Sequence, residues 1–138
     1  MSFSDYVSLV QWNVRGLKSK IHWLKLSPFS KADIFLFQET FLSSIDDIFC
    51  RNKVIYRHDR NSRGGGLLTA VDKSISSCVV DIRGKSRTTT LCVKVFFDHK
   101  WVYPLNIYIL KGKVTENWLD NLVAQLETPF FNCGGFQY

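Results

Sequence analysis

A mixed α and β fold with a largely antiparallel sheet is what this sequence predicts, on three observations. The first forty residues read strand, helix, strand; a meander of strand-like runs follows; and one amphipathic helix leads into a last, Phe-rich strand.

Residues 6–14, YVSLVQWNV, alternate and are rich in Val and aromatic side chains, which predicts a strand. In GLKSKIHWLKL (16–26), Leu17, Ile21 and Leu24 recur at helical spacing with lysines between them, and Pro28 closes the helix. ADIFLFQET (32–40) is a continuous apolar run ending in polar residues, the pattern of a strand buried on both faces. SSIDDIF (43–49) reads as a helical turn. Strands are then expected at 53–58, 65–72, 76–82, 88–97 and 101–109, separated by the turn sequences NSRGG, DKS, RGKS and DHK. Pro104 lacks a ladder donor, so it belongs at a sheet edge or bulge. TENWLDNLVAQLE (115–127) aligns Trp118, Leu119, Leu122, Val123 and Leu126 in one apolar stripe, with Thr115 as N-cap and Pro129 as terminator. Phe130, Phe131 and Cys133 form a final strand, which Gly134 and Gly135 are expected to break.

The length of 138 residues fits one domain, able to bury ~two-thirds of its unfolded surface. Hydrophobic residues at 46% and charged ones at 22% place it among globular chains rather than disordered ones. The net charge of +6 favours polyanionic partners, because Lys and Arg near phosphates release condensed counterions. Cys50, Cys78, Cys92 and Cys133 show no CxxC spacing or His cluster, which argues for a reducing compartment and against a disulfide framework or zinc site. With no signal-peptide pattern at the start and no apolar run near the ~18 residues of a membrane span, the expected location is nuclear or cytoplasmic, off the membrane.

Candidate chemistry gathers at strand ends. Asn13 closes the first strand and Glu39 the second, and in open sheets ligands collect beyond the carboxyl ends of strands. A carboxylate beside an amide starts a hard-cation site, since Mg2+ takes oxygen ligands. Tyr108 ends the last strand of the meander. HDRNSRGGG (58–66) sets Arg60 and Arg63 beside three glycines, where backbone can approach a ligand and guanidinium matches phosphate; a plain hairpin loop would look the same. Asp98 and His99 are adjacent turn residues that rarely point together, His22 reads as a helix-surface residue, and His58 as a strand end.

In order, VQWNVRGL, DIFLFQETFL, HDRNSRGGGLLTAVD and LNIYI resemble the endonuclease/exonuclease/phosphatase superfamily. Within it they are most similar to the N-terminal, AP-endonuclease-like endonuclease domain of the reverse transcriptase protein of non-LTR (LINE or jockey-type) retrotransposons. The resemblance covers nearly the whole chain. It implies a four-layer αββα sandwich of the DNase I-like type, of which residues 1–138 would be the first, N-terminal half.

It also implies roles. Glu39 would hold a catalytic Mg2+ with Asn13 ordering the site, and Tyr108 would stand near the scissile phosphate. Arg15, Arg60 and Arg63 would face DNA. Arg15 fits the retrotransposon branch and departs from the repair branch, which has an acidic residue there. The family's activity is Mg-dependent phosphodiester hydrolysis, nicking DNA to prime reverse transcription. Its next motif is Gly-Asp-Phe-Asn, where this chain has Gly134, Gly135, Phe136 and Gln137. Glycine at the carboxylate position supplies neither ligand nor base, and the family's later acidic residues and Ser-Asp-His would lie beyond position 138. The expectation is a truncated endonuclease domain with impaired or absent activity, one apolar sheet face left without a partner, and self-association through it. A non-catalytic nucleic-acid-binding remnant is the alternative, and a phosphatase of the same superfamily a weaker third.

Overall fold

The computed structural model describes residues 6–60, 65–82, 88–109 and 130–136, the last segment as backbone. Among these residues, eight strands make two four-stranded sheets. The first has order β1-β2-β4-β3, built from Leu9–Asn13, Ile34–Gln38, Leu67–Asp72 and Lys53–His58. The second runs β5-β6-β7-β8, from Ser77–Val80, Thr88–Phe97, Lys100–Ile109 and Phe130–Phe136. Each sheet has one parallel pair, β1 with β2 and β7 with β8, and is otherwise antiparallel.

Side-chain alternation sends successive residues of β2 to opposite faces, and all five of its residues are buried. Ile34 and Leu36 turn inward with Val71 to meet Val93, Val95 and Val102 of the second sheet. Phe35 and Phe37 turn outward, stacked with centroids 5.3 Å apart, into a cluster with Leu17, Leu42, Leu68 and Ala70. Burying four neighbouring apolar residues, Ile34 to Phe37, on both faces of one strand is worth about 2 kcal/mol each, which makes β2 the spine of the molecule. The two sheets therefore cover each other's inner faces within the described residues. Among these residues the inner face expected to be bare, the basis for self-association, is covered, because the meander itself supplies the second sheet.

Other differences have local causes. Residues 18–25 form a 3-10 helix instead of an α-helix. No side chain caps its start, its first turn holds no acidic residue, and Lys18 and Lys20 sit where the helix dipole disfavours cations. Leu17 is nonetheless fully buried, with Ile21 and Leu24 packed beside it, so the apolar spacing did mark the core face. The segment 43–49 makes a single turn rather than a longer helix: Ser43 N–H donates to the Asp46 carboxylate (2.8 Å) and Asp46 N–H to Ser43 O (3.0 Å).

Pro104 lies in β7, between β6 and β8, rather than at an edge. The β6–β7 register pairs Cys92 with Leu105 and resumes at Val95 with Val102, with no residue inserted. The missing donor is thus absorbed as a gap in the ladder, not as a bulge. Gly134 and Gly135 do not end β8; they pair in parallel with Ile107 and Tyr108. Asp98 and His99 form the expected turn, both with left-handed φ (53° and 62°), the two-residue geometry that matches hairpin twist. The helix expected at 115–127 and Arg63 lie outside the described residues.

Candidate functional site

Strand register brings the candidate groups to one end of the sandwich. Asn13 pairs with Gln38, Gln38 with Leu67, and Leu67 with His58, so these positions form one row across the first sheet. Glu39 is the next residue beyond that row. In the second sheet Tyr108 sits level with Thr89 on one side and Gly135 on the other. Tyr108 turns inward, packing with Leu67, Leu91 and Tyr56.

Beyond the row the chain is held in left-handed conformations. Arg15 (φ 48°), Gly16 (101°), Glu39 (53°), Phe41 (56°), Gly65 (75°) and Gly66 (94°) all cluster here. Backbone bonds tie them together: Gly16 N–H to Glu39 O (2.8 Å), Leu17 N–H to Thr40 O (3.0 Å), Phe41 N–H to Gly65 O (2.9 Å) and Thr40 N–H to Gly66 O (3.3 Å). The three segments QWNVRG, QETF and the glycine run, separate in sequence, thus form one knot. Gly66 is required there, since a Cβ would come within 2.5 Å of Thr40 Oγ1.

Electrostatics draws in the remaining groups. Burial raises the Tyr108 phenol above its ordinary range; the Glu39 carboxylate raises it further, while Arg60 and Arg15 pull it back. All four therefore share one neighbourhood, and the Tyr108 hydroxyl stays a proton donor at neutral pH. Arg15 Nε stands 3.9 Å from Glu39 Oε2, an ion pair too long for a hydrogen bond. The Arg15 side chain is 77% exposed, so water screens the pair.

The decisive observation is what lacks a partner. Asn13 Oδ1, Glu39 Oε2 and Thr40 Oγ1 are buried without any hydrogen bond. Buried acceptors are ordinarily satisfied, and orphans point to an absent ligand. An oxygen donor set of one carboxylate and one amide suits Mg2+, which keeps several waters and needs few protein ligands. No group of three His, Cys, Asp or Glu side chains stands together among the described residues.

Below the site, Gln38, Thr69 and Asn106, all fully buried, were not foreseen. Asn106 Nδ2 donates to Phe37 O and Leu68 O (both 3.1 Å), and its Oδ1 accepts from Gln38 Nε2 (2.8 Å), bridging the sheets two residues before Tyr108 and one before Glu39. The sequence signal was a lone amide in the apolar run PLNIYI, on the same strand face as Tyr108.

Other reactive groups lie elsewhere. A cavity of about 480 Å³ opens between β3, β5 and β6, bordered by His58, Thr90 and Cys92, and none of Asn13, Glu39 or Tyr108 lines it. Burial pushes the Cys92 thiol up to about 12 and that of Cys50 upward, so neither is a ready nucleophile. No helix among the described residues is long and apolar enough to cross a membrane.

No protein-family model and no curated protein sequence matches the chain. Solved structures do match in shape. An AP endonuclease from Archaeoglobus fulgidus superposes with a TM-score of 0.55 at 17% identity, covering 89% of this chain and 53% of that one. A humanized TDP2 from D. rerio gives 0.53 at 15% identity, covering 86% and 58%. The 3′ phosphatase NExo from Neisseria, bound to a product DNA hairpin, gives 0.50 at 15% identity, covering 86% and 49%. The chain thus has the DNase I-like two-sheet fold, and spans about half the length of the structures it matches.

Proposed function

We propose that residues 1–138 are the N-terminal half of a DNase I-like endonuclease domain of the non-LTR retrotransposon type, acting on DNA, with its hydrolytic activity impaired. The observation that carries this reading is the pair of orphaned oxygens, Asn13 Oδ1 and Glu39 Oε2, beside the Tyr108 hydroxyl at the matching ends of two sheets. The three likenesses to DNA-processing enzymes support it, as does the net charge of +6.

Glu39 and Asn13 would hold Mg2+, which when bound neutralises charge developing on a phosphodiester. Tyr108 keeps its proton and donates a hydrogen bond to a phosphate oxygen. Arg60 and Arg15 offer paired donors to flanking phosphates. What weakens the site is Gly135. It stands level with Tyr108 in the ladder, where the resemblance implies a carboxylate, and glycine can neither ready a water nor bind a cation. A DNA-binding role without catalysis is favoured by that same residue.

A plasmid nicking assay in Mg2+ separates these readings. Wild-type protein is expected to nick feebly, Gly135→Asp to raise the rate on the order of a hundredfold, and Glu39→Gln to abolish the gain. If Gly135→Asp changes nothing while DNA binding persists, the binding role stands and the impaired-enzyme reading fails. Robust nicking by wild type that Glu39→Gln leaves intact would overturn the site assignment itself.

A further inference from the structure

Phe41 is the feature of this site that neither the metal nor the phosphate chemistry uses. It lies between two buried residues, Thr40 (0% exposed) and Leu42 (3%), yet is itself 47% exposed. Its φ of 56° is an outlier for a bulky side chain, a conformation that Gly or Asn would adopt more cheaply. Its N–H is fixed to Gly65 O at 2.9 Å, so the outward direction of the ring is imposed by the backbone knot rather than left to chance. One edge of the ring backs onto Gly16, its Cδ2 3.4 Å from where a side chain there would begin, and it makes no ring–ring contact among the described residues. Arg15 adjoins Gly16 in sequence, and Arg60 packs against Gly65, the residue that holds Phe41.

An exposed aromatic ring that backs onto Gly16, with Arg15 next to Gly16 in sequence and Arg60 packed on Gly65, is suited to a flat group on an anionic backbone. We infer that Phe41 is a stacking platform for an unstacked base of a DNA single strand whose phosphates lie against Arg15 and Arg60; this rests on the DNA-directed reading above. Every base has a π-face, so the platform is tolerant of sequence, while a base locked in a duplex cannot present that face. The platform sits two residues from Glu39, so it selects strands that are frayed or distorted next to the bond to be handled. A second exposed ring on the same segment, Phe49 (80% exposed), is joined by none of these backbone ties and serves as the control.

The test is equilibrium binding of a labelled mixed-sequence oligonucleotide, single-stranded or annealed to its complement, in EDTA so that no hydrolysis intervenes. Phe41→Ala is expected to weaken single-strand binding by about tenfold, to leave duplex binding nearly unchanged, and to keep the slope of log K against log salt, since stacking releases no counterions. Phe41→Leu should fail in the same way, Phe41→Tyr should bind like wild type, and Phe49→Ala should change nothing. Full binding by Phe41→Ala or Phe41→Leu, equal losses on duplex, or an equal effect of Phe49→Ala would each overturn stacking while leaving the DNA reading in place. Absence of DNA binding by the wild-type protein, or a salt slope unaffected by Arg60→Ala, would instead remove the DNA reading and this inference with it.

Discussion

Glu39 owes its position to strain. It is a non-glycine residue at φ 53°, flanked by Phe41 at 56° and facing Arg15 at 48°. Each such residue costs on the order of 1 kcal/mol or more and persists only where its surroundings over-determine it. Here the over-determination comes from glycine: Gly65 and Gly66 supply the carbonyls that fix Phe41 and Thr40. Gly66→Ala should therefore act on Glu39 at one remove. The new methyl would meet Thr40 Oγ1, and the cost should be about 2 kcal/mol in urea denaturation, with weaker Mg2+ binding by titration. A variant with wild-type stability and wild-type Mg2+ affinity would show that the knot does not position the carboxylate. QET and the glycine run each stood out in the sequence, but their contact did not, because left-handed pairing of two loops leaves no periodic trace.

Among the elements, the strands were the legible part. β3 and β6 have the bounds that alternation suggested, because half-buried strands impose a period of two. The segment after β2 was less legible, since it is shaped by single polar contacts. Arg57 donates to Ser43 O (3.0 Å) and to Asp46 O, and it is itself oriented by Asp59 (2.7 Å). Lys18 joins Asp46 at 2.8 Å, fastening the turn to the 3-10 helix. That Lys18 bond, with the Ser43 N–H, holds the Asp46 carboxyl down at about 2 from an ordinary 3.8. A carboxyl depressed in the folded state stabilises above its unfolded value and loses that contribution as pH falls through the folded one. Thermal midpoints of wild type and Asp46→Asn should thus differ above pH ~4 and converge near pH ~2. Parallel curves across that range would show that the tether carries no stability.

For the whole molecule, the question is what holds two sheets at one separation, since Glu39 and Tyr108 belong to different ones. Apolar contacts between the sheets are non-directional and tolerate sliding. The Gln38–Asn106 bridge is directional and fully buried, and it lies directly beneath the site. Asn106→Leu removes three buried hydrogen bonds, those to Gln38 Nε2, Phe37 O and Leu68 O, so a loss of about 2–4 kcal/mol is expected in urea unfolding. Gln11→Ala, at the exposed end of the same chain of amides, should cost under about 1 kcal/mol. Comparable losses would mean that the buried bridge holds the sheets no better than the exposed Gln11 amide does. Strand ends in the sequence suggested that Asn13, Glu39 and Tyr108 could meet, and the resemblance anticipated the two-sheet sandwich. It did not anticipate that the second sheet would be supplied within these residues, because strand runs in a meander do not reveal where one sheet stops and the next begins.

The gap at Pro104 has a mechanical sense. It cuts the longest hairpin into two zippers, a distal one from Val95–Val102 to the turn at Asp98 and His99, and a proximal one from Cys92–Leu105 to Tyr108. Fraying that starts at the solvent-facing tip meets a firebreak before it reaches the phenol. The tip can breathe while the end that faces Glu39 stays shut.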